Sequence, residues 1–520
     1  MTEPILEIPE KLNCAVEMVD KNIKLGRGQK IAILCQDQSF TYEDVYKEVN
    51  KFGNALRNLG VSLEDRVLLL LLDCQQYAFS FFGAIKIGAV PIPTNTMLKA
   101  KDYLYLLNDS RAKVAVVSED LVPLIEEVRG ELRFLQHLIV VGNAGPNQIA
   151  YEQLVANAST ELEPADTGKD DVAFWLYSSG TTGSPKGTVH LQHDMLVATE
   201  YYAKGVLGIN ENDITFSVAR LFFAYGLGNG LYFPFSVGAT TVLNPERPEP
   251  KGIFEVIKRY KPTLFFCVPT AYGAMLQMAD KLPEVDMSSI RHCVSAGEAL
   301  PKPIFEAWHK KFNLTILDGI GSTEILHIFI SNQPGDIKPG STGKPVPGYE
   351  AKIVDADGNR LPAMEVGILM IKGDSIAAYY WNKHEKSKET FHGPWINTGD
   401  NYYMDEDGYY WYVGRGDDMI KAGGIWVSPL EVENTILEHD SVQECGVVGA
   451  IDKDNLEKPK AFIVLKEGIE ASEELAKEIQ NYVKSRIALY KYPRWIEFVS
   501  DLPKTATGKT MRYVLKQLNK

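Results

Sequence analysis

One segment of the chain combines residue types that suit a phosphate group. The apolar run Val172–Tyr177 leads into a loop of glycines, hydroxyl side chains and a lysine, with the sequence Ser178-Ser179-Gly180-Thr181-Thr182-Gly183-Ser184-Pro185-Lys186-Gly187. Glycines let the backbone approach a phosphate and direct N–H groups at it, and a lysine adds a positive charge. A kinase P-loop is excluded because Pro185, not glycine, precedes the lysine. The density and order of donors favour a phosphate site over a flexible surface loop.

Further polar segments follow along the chain. Asp318–Glu324 and Thr398-Gly399-Asp400 join carboxylates and hydroxyls to glycines, and Pro503–Lys509 ends in a lysine. Each segment also has a structural interpretation. Glu324 could be a carboxylate at a helix N-terminus, Thr398–Asp400 a turn, and Lys509 part of a basic tail.

Taken in order, these segments resemble the signatures of the adenylate-forming enzymes, which include acyl- and aryl-CoA ligases, luciferases and peptide-synthetase adenylation domains. Ser295–Leu300 resembles a further signature, and the resemblance runs through nearly the whole chain. Ordered agreement at distant positions is far more specific than any single loop. The resemblance implies that the protein activates a carboxylic acid with ATP and Mg²⁺ and passes the acyl-adenylate to the thiol of coenzyme A.

The resemblance also implies which residues bind the nucleotide. Thr323 would contact the α-phosphate, Glu324 would hold Mg²⁺, and Asp400 would accept hydrogen bonds from the ribose hydroxyls. The sequence departs from the family at Ile320, where a tyrosine is common. The expected ATP- and AMP-binding residues are Ser178, Ser179, Gly180, Thr181, Thr182, Gly183, Lys186, Ala296, Gly297, Glu298, Asp318, Gly319, Ile320, Thr323, Asp400 and Arg415.

The carboxy-terminal segments are expected to serve the two half-reactions in turn. Lys509 matches the family's catalytic lysine, whose ammonium group would stabilise negative charge that develops on the phosphoryl oxygens during adenylation. Asp417 matches the residue at which the family's hinge pivots. Gly423, Gly424 and Trp426 would line the coenzyme A channel, and Gly424 would let the pantetheine arm pass close to the backbone.

The segment Arg220–Gly230 joins aromatic side chains to glycines, which suits a flat apolar guest. Core packing remains the plain alternative. Within the family this stretch most resembles the benzoate–CoA ligases, which implies an acyl pocket lined by Ala224, Tyr225, Gly319 and Ile320 with His327 at its edge. His327 could equally be a core histidine. We therefore expect an aromatic acid, with benzoate as the first candidate and alicyclic and fatty acids as alternatives.

Strand-like and helix-like runs alternate through most of the chain, and short strands dominate from Gly367 onward. This pattern predicts an α/β fold with a large N-terminal domain of parallel-rich sheets and flanking helices, followed by a small mobile α+β domain. The glycine-containing polar stretch near residue 415 suits a linker. We expect an adenylation body at 1–414, a hinge at 415–418 and a lid domain at 419–520.

The bulk composition limits the functional classes. The formal net charge of -14 argues against a general nucleic-acid or membrane-surface binder. The six cysteines form no C-x-x-C pair, and the N-terminus lacks the pattern of a signal peptide, so a cytoplasmic protein is expected. The oligomeric state stays open, a homodimer being one arrangement. A carrier-protein thiol as acceptor, light-producing oxidation and a non-catalytic nucleotide-binding protein remain alternative interpretations.

Overall fold

The computed structural model describes residues 6–178, 184–282, 285–416, 418–422, 425–452, 456–504 and 510–518, without the side chains of Lys421, Ile425 and Trp426. Helix α2 (Tyr42–Asn58) illustrates how the local sequence determines where a helix begins. Thr41 accepts a hydrogen bond from the N–H of Asp44, whose carboxylate accepts from the N–H of Thr41, forming a capping box. Among the described residues, no helix has the length and hydrophobicity needed to cross a membrane.

The amino-terminal elements interleave strands and helices. In chain order they are α1 (Lys21–Lys24), β1 (Ile31–Cys35), β2 (Gln38–Thr41), α2 (Tyr42–Asn58), β3 (Arg66–Leu70), α3 (Gln75–Lys86), β4 (Val90–Pro93), α4 (Ala100–Ser110), β5 (Val114–Ser118), α5 (Val122–Glu126), β6 (His137–Val141), β7 (Ile149–Ala150) and α6 (Tyr151–Ala156). Strands β4-β3-β5-β6-β7 form a parallel sheet in that order. Helix α5 is short, with Pro123 in its first turn and a 3₁₀ turn on either side.

The central elements follow, and their strands from β10 (Ile214–Ser217) onward join β1 and β2 in a second sheet. They are β8 (Val172–Ser178), β9 (Lys186–Leu191), α7 (Asp194–Ala198), β10 (Ile214–Ser217), α8 (Ala224–Leu227), α9 (Phe233–Val237), β11 (Thr240–Leu243), α10 (Pro250–Tyr260), β12 (Leu264–Cys267), α11 (Pro269–Ala279), β13 (His292–Ser295), α12 (Lys302–Phe312), β14 (Ile316–Gly321), β15 (Ile328–Ser331) and β16 (Lys344–Pro345). The sheet has the order β16-β15-β14-β13-β12-β10-β11-β1-β2, and its strands from β14 to β1 are parallel. Trp308 of α12 and Tyr272 of α11 pack edge-to-face beneath it.

An antiparallel sheet follows. Its region contains β17 (Glu350–Val354), β18 (Gly367–Lys372), β19 (Tyr379–Tyr380), α13 (His384–Thr390), β20 (Phe391–His392), β21 (Trp395–Met404) and β22 (Tyr410–Arg415). Strands β17-β18-β21-β20 pair in that order, with β22 also on β21. Strand β19 instead joins β9 and β8, which brings residues near 380 beside the phosphate loop.

The carboxy-terminal elements have a hydrophobic core of their own. They are β23 (Ile420–Ala422), β24 (Ile425–Val427), α14 (Pro429–Leu437), β25 (Val442–Ile451), β26 (Glu457–Leu465), α15 (Glu473–Lys484), β27 (Trp495–Phe498) and α16 (Arg512–Gln517). Val432 and Ile436 of α14 pack with Ile479 and Val483 of α15 over the sheet β25-β26-β27. The predicted mixed α/β fold with a smaller C-terminal α+β domain is confirmed.

Candidate active site

The ends of the glycine-rich loop are fixed by strand pairing. Ser178, the last residue of β8, lies opposite Lys186, the first residue of β9. The Lys186 ammonium lies 4.5 Å from the centre of the Tyr380 ring. Burial lowers the pKa of Lys186, and the Glu324 carboxylate opposes that shift. The loop therefore ends beside a partly buried positive charge, as a phosphate site requires.

Glu324 sits in a 3₁₀ turn formed by Thr323–Ile325, directly after β14. Its Oε1 accepts hydrogen bonds from the Ser178 hydroxyl at 3.1 Å and from the Tyr380 hydroxyl at 2.8 Å. Burial and the nearby Glu324 carboxylate raise the pKa of Tyr380, which keeps this donor protonated. The carboxylate is thus held at the mouth of the phosphate loop by two neutral donors.

The carboxyl ends of three parallel strands form one edge beside this turn. Cys267 of β12 pairs with Ser295 of β13, which pairs with Asp318 of β14. Ala296 is buried, and Gly297 has φ +92°, a conformation that favours glycine. This arrangement brings together two segments predicted to bind the nucleotide, at 296–298 and 318–320. They lie at the edge where ligands bind to open parallel sheets.

Asp318 is buried at this edge, with 8% of its surface exposed. Burial raises the pKa of Asp318 to about 8, an effect that the Ser295 hydroxyl and the N–H groups of Leu300 and Gly319 partly oppose. A side chain at Gly319 would meet Ile328 and the Ile330 carbonyl oxygen at under 3 Å. The backbone at residues 318 and 319 is therefore tightly packed. The raised pKa keeps the Asp318 side chain protonated through much of the neutral pH range.

Asp400 and Arg415 face each other across β21 and β22. Arg415 Nη1 lies 3.1 Å from Asp400 Oδ1 and donates to the Thr398 carbonyl oxygen at 3.2 Å. The positive charge of Arg415 also lowers the pKa of Lys186. The predicted ribose carboxylate and nucleotide arginine therefore lie close together and on the side of the phosphate loop.

The predicted acyl-pocket residues converge behind the strand edge. The Tyr225 hydroxyl donates to the Val294 carbonyl oxygen at 3.2 Å, and its ring centre lies 5.5 Å from that of His327. His327 is 2% exposed, contacts the Phe233 ring and has its Nε2 3.1 Å from Asn229 Oδ1. Burial lowers the pKa of His327 to about 3, so the imidazole is neutral. This cluster of side chains is aromatic and carries no charge from the histidine.

Two family models match this chain. A model for an AMP-binding enzyme matches residues 22–381, and a model for an AMP-binding enzyme C-terminal domain matches residues 431–509. The chain belongs to the AMP-binding enzyme family. This AMP-binding enzyme is 50% identical to a benzoate–CoA ligase of Thauera aromatica, over 99% of this chain and 98% of that protein. The predicted family is confirmed, with its resemblance to benzoate–CoA ligases.

Two solved structures share the whole fold of the enzyme. An anthranilate CoA ligase in complex with anthranoyl-AMP is 45% identical, with a TM-score of 0.94 and 98% of each chain covered. A benzoate CoA ligase from Burkholderia xenovorans is 46% identical, with a TM-score of 0.90, covering 97% of this chain and 99% of that chain. The first of these relatives holds an acyl-adenylate, the intermediate expected from the sequence.

Several predicted residues of this AMP-binding enzyme lie outside the described residues. They are Ser179, Gly180, Thr181, Thr182, Gly183, Asp417, Gly423, Gly424 and Lys509, together with the side chain of Trp426. The structure brings the remaining predictions into four groups. Ser178, Lys186, Thr323 and Glu324 lie at the loop, and Ala296 to Glu298 and Asp318 to Ile320 lie at the strand edge. Asp400 pairs with Arg415, and Ala224, Tyr225 and His327 lie at the acyl side.

Sequence reasoning missed residues that position the site from a distance. Tyr380 contacts Glu324 from 56 residues away, and Asn229 contacts His327 from 98 residues away. His190 contacts the Thr323 carbonyl oxygen. Only His190 had a local signal, because Asp194 follows it at a spacing of four residues, close behind the phosphate loop.

Proposed function

We propose that this AMP-binding enzyme is a benzoate–CoA ligase that uses ATP and forms benzoyl-AMP as its intermediate. The observation that carries the proposal is the uncharged aromatic wall formed by Tyr225, Phe233 and His327 behind the nucleotide-binding strand edge. The 50% identity to the Thauera aromatica benzoate–CoA ligase supports the same conclusion independently. A flat apolar ring suits such a wall, with its carboxylate directed toward the phosphate loop.

The first half-reaction joins the acid to AMP. A benzoate oxygen attacks the α-phosphorus of ATP, a new P–O bond forms, and the bond to pyrophosphate breaks. Thr323 is proposed to donate to the α-phosphate, and the Lys509 ammonium to stabilise the charge that builds up in the transition state. Tyr380 and Ser178 hold the Glu324 carboxylate in place, so that it is positioned before the nucleotide arrives.

A magnesium ion bound with ATP fits this site. Within the described part of the chain, no cluster of three or more His, Cys, Asp or Glu side chains could hold a metal ion. Mg²⁺ commonly binds through one or two carboxylates together with substrate phosphates and water, which matches the single carboxylate of Glu324 at the loop. When bound, the ion would neutralise charge on the phosphate oxygens.

The second half-reaction transfers the acyl group to coenzyme A. The thiol, with loss of its proton, attacks the benzoyl carbonyl carbon, the thioester bond forms, and AMP leaves. We propose that the lid domain at 419–520 rotates about Asp417 between the two steps, which moves Lys509 out of the active site and brings Gly424 into it.

The protein is also proposed to be cytoplasmic. All six cysteines are free, which fits this location.

The proposal is tested by measuring AMP and acyl-CoA formation with ATP, Mg²⁺ and coenzyme A across aromatic, alicyclic and straight-chain acids. We expect benzoate to be turned over strongly and medium-chain fatty acids weakly. Preference for fatty acids would overturn the pocket assignment while keeping the ligase mechanism. Adenylate formation without any thioester would instead favour a carrier-protein thiol as acceptor.

The two-step mechanism has its own test, in which the half-reactions are measured separately. Lys509→Ala should lower benzoyl-AMP formation by on the order of 10²–10³ and spare thioester formation from supplied benzoyl-AMP. Gly424→Leu should block thioester formation from supplied benzoyl-AMP and leave benzoyl-AMP formation near wild type. Equal losses in both half-reactions for Lys509→Ala would show that Lys509 has a structural role.

A further inference from the structure

His190 lies on β9, four residues beyond Lys186 of the phosphate loop. The side chains of His190 and of Asp194, at the start of α7, are both fully buried. The imidazole stacks on Phe174 of β8, with ring centres 5.2 Å apart and an interplanar angle of 17°. This packing fixes the plane of the ring, and therefore the directions in which its two nitrogens point.

Both ring nitrogens of His190 face hydrogen-bond acceptors. Nε2 lies 2.8 Å from the backbone carbonyl oxygen of Thr323, and Nδ1 lies 2.7 Å from Oδ2 of Asp194. A carbonyl oxygen can only accept, so the proton of the first contact belongs to Nε2. A neutral imidazole has a single N–H, which leaves the second contact without a proton unless the ring is charged or Asp194 is protonated.

Further contacts hold Asp194 in place beside the ring. Its Oδ2 also accepts the N–H of Leu191 at 3.1 Å, and its Oδ1 lies 3.2 Å from Nε2 of His193. His193 itself contacts the carbonyl oxygens of Lys169 and Asp374. The contact with Asp194 therefore fixes the Nδ1 side of His190, while Nε2 points at the Thr323 carbonyl oxygen.

The Thr323 carbonyl belongs to the turn that carries Glu324. Each carbonyl of this 3₁₀ turn is held from outside it: Thr323 by His190, Glu324 by the N–H of Ala377 at 2.8 Å, and Ile325 by the Ser375 hydroxyl at 2.8 Å. A single 3₁₀ turn has little stability of its own. Its position relative to the loop is therefore set by these donors.

We propose that His190 is a positioning residue that donates from Nε2 to the Thr323 carbonyl oxygen and thereby holds Thr323 and Glu324 against the nucleotide. This rests on the proposed function, since it assigns Thr323 and Glu324 to the adenylation step. Asp194 and the Phe174 ring keep the imidazole in the orientation that this hydrogen bond needs.

Two variants separate the contacts of His190. The amide nitrogen of glutamine reaches roughly the place of Nε2, so His190→Gln keeps the donor to Thr323. The amide nitrogen of asparagine reaches roughly the place of Nδ1, so His190→Asn keeps only the contact with Asp194. Misplacing a reacting group by an ångström costs about 10²-fold in rate. We expect His190→Asn to lower kcat for benzoyl-AMP formation by roughly 10- to 100-fold, and His190→Gln to recover most of it.

The half-reactions distinguish positioning from general damage. Thioester formation from supplied benzoyl-AMP should fall less than benzoyl-AMP formation in His190→Asn, because Thr323 is placed on the α-phosphate in both steps while Mg²⁺ and pyrophosphate take part only in the first. Equal losses in both half-reactions, or a His190→Gln variant as slow as His190→Asn, would overturn the proposal. Wild-type enzyme that makes no benzoyl-AMP would instead refute the proposed function.

The protonation state is measured on wild-type enzyme without substrate, which keeps the proposal testable even where both variants unfold. Nitrogen NMR of the enzyme labelled with ¹⁵N-histidine at pH 8, with the His190 signals assigned by their loss in either folded variant or by contacts to Phe174, reports both ring nitrogens. A protonated Nε2 is expected. An Nε2 without a proton would remove the donor to the Thr323 carbonyl oxygen and refute the proposal.

Discussion

Two buried histidines mark the two ends of the proposed site, and their surroundings are opposite. His190, at the nucleotide end, contacts a carboxylate and a backbone carbonyl. His327, at the acyl end, contacts aromatic rings and the Asn229 amide, and burial lowers the pKa of His327 to about 3. The same residue type therefore has polar partners at one end and aromatic neighbours at the other.

The difference teaches how the two ends achieve specificity. The nucleotide end holds Glu324 through directed hydrogen bonds, so its failure should appear as lost rate with the fold preserved. The acyl end relies on close packing, since a side chain at Gly228 would approach His327 Cδ2 to 2.5 Å. Its failure should appear as lost affinity and lost stability.

The largest effect is expected from Glu324→Gln at the nucleotide end. The substitution keeps an oxygen that can accept from Ser178 and Tyr380 but removes the charge. We expect benzoyl-AMP formation to fall by on the order of 10²–10³ in pyrophosphate-release assays, the usual loss for one preorganised electrostatic group. Thermal unfolding should change little. A loss of less than tenfold would show that the Glu324 charge is not part of the adenylation machinery.

Gly228→Ala tests the acyl end. The new methyl group would lie 2.5 Å from His327 Cδ2 and 2.7 Å from the Tyr232 hydroxyl, so the wall must move. Such overpacking costs about 1–3 kcal/mol, and about 1.4 kcal/mol corresponds to tenfold in affinity. We expect lower stability and a raised KM for benzoate with kcat for supplied benzoyl-AMP little changed.

Gly252→Ala is the matched control, because a side chain there, on helix α10, meets open space. It should be neutral or stabilise the protein by about 1 kcal/mol, the helix preference of alanine over glycine. Equal behaviour of the two variants in urea unfolding and in KM would contradict the close-packed acyl wall.

Local sequence was sufficient to predict the elements and the loop. The apolar run before Ser178 formed β8, and the strand–helix alternation of Thr263–Asp318 formed parallel strands whose ends meet. The predicted meeting of Tyr225 and His327 was also observed. The strands follow from periodicity and from the rule that parallel strands end at one edge, whereas the contact between Tyr225 and His327 was implied by the family resemblance.

The supporting contacts could not be predicted in the same way. Tyr380 reaches Glu324 only because β19 pairs with β9, a strand nearly two hundred residues earlier in the chain. Nothing in the local sequence of Tyr379–Tyr380 indicates that pairing. The domain boundary near residue 415 and the roles of Asp417, Gly424 and Lys509 stay predictions, because those three residues lie outside the described ones.

Asp318→Asn tests the nucleotide end through the pH dependence of protein stability. Burial raises the pKa of Asp318 to about 8 from 3.8, so between these values the folded protein keeps a proton that the unfolded chain has lost. Stability should therefore fall as pH rises through this window, by up to about 1.4 kcal/mol for each pH unit. Asparagine cannot lose the proton, so urea unfolding of the variant should show a shallower decline between pH 6 and pH 8.

The exposed Asp120→Asn variant removes the same charge from the surface and should keep the wild-type pH dependence. An Asp318→Asn variant whose decline matches that of the wild type would show that the Asp318 carboxyl is ionised throughout this range. The nucleotide end would then contain a buried negative charge at the strand edge, which would weaken the contrast with the neutral acyl end.

The smallest effect is expected from Ser322→Ala, which removes the cap of the Glu324 turn. The Ser322 hydroxyl accepts the N–H of Ile325 at 3.3 Å, and losing a cap typically costs about 1 kcal/mol. Ser472→Ala is the matched control, since Ser472 caps α15 in the C-terminal domain by accepting the N–H of Leu475 at 3.1 Å.

Both variants should lower the free energy of urea unfolding by about 1 kcal/mol. Only Ser322→Ala should slow benzoyl-AMP formation, by roughly threefold, because the loosened turn carries Glu324. Equal rates for the two variants would mean that His190, Ala377 and Ser375 fix the turn without its own cap. The nucleotide end would then be positioned entirely by contacts from outside the turn, which is the strongest form of its contrast with the acyl end.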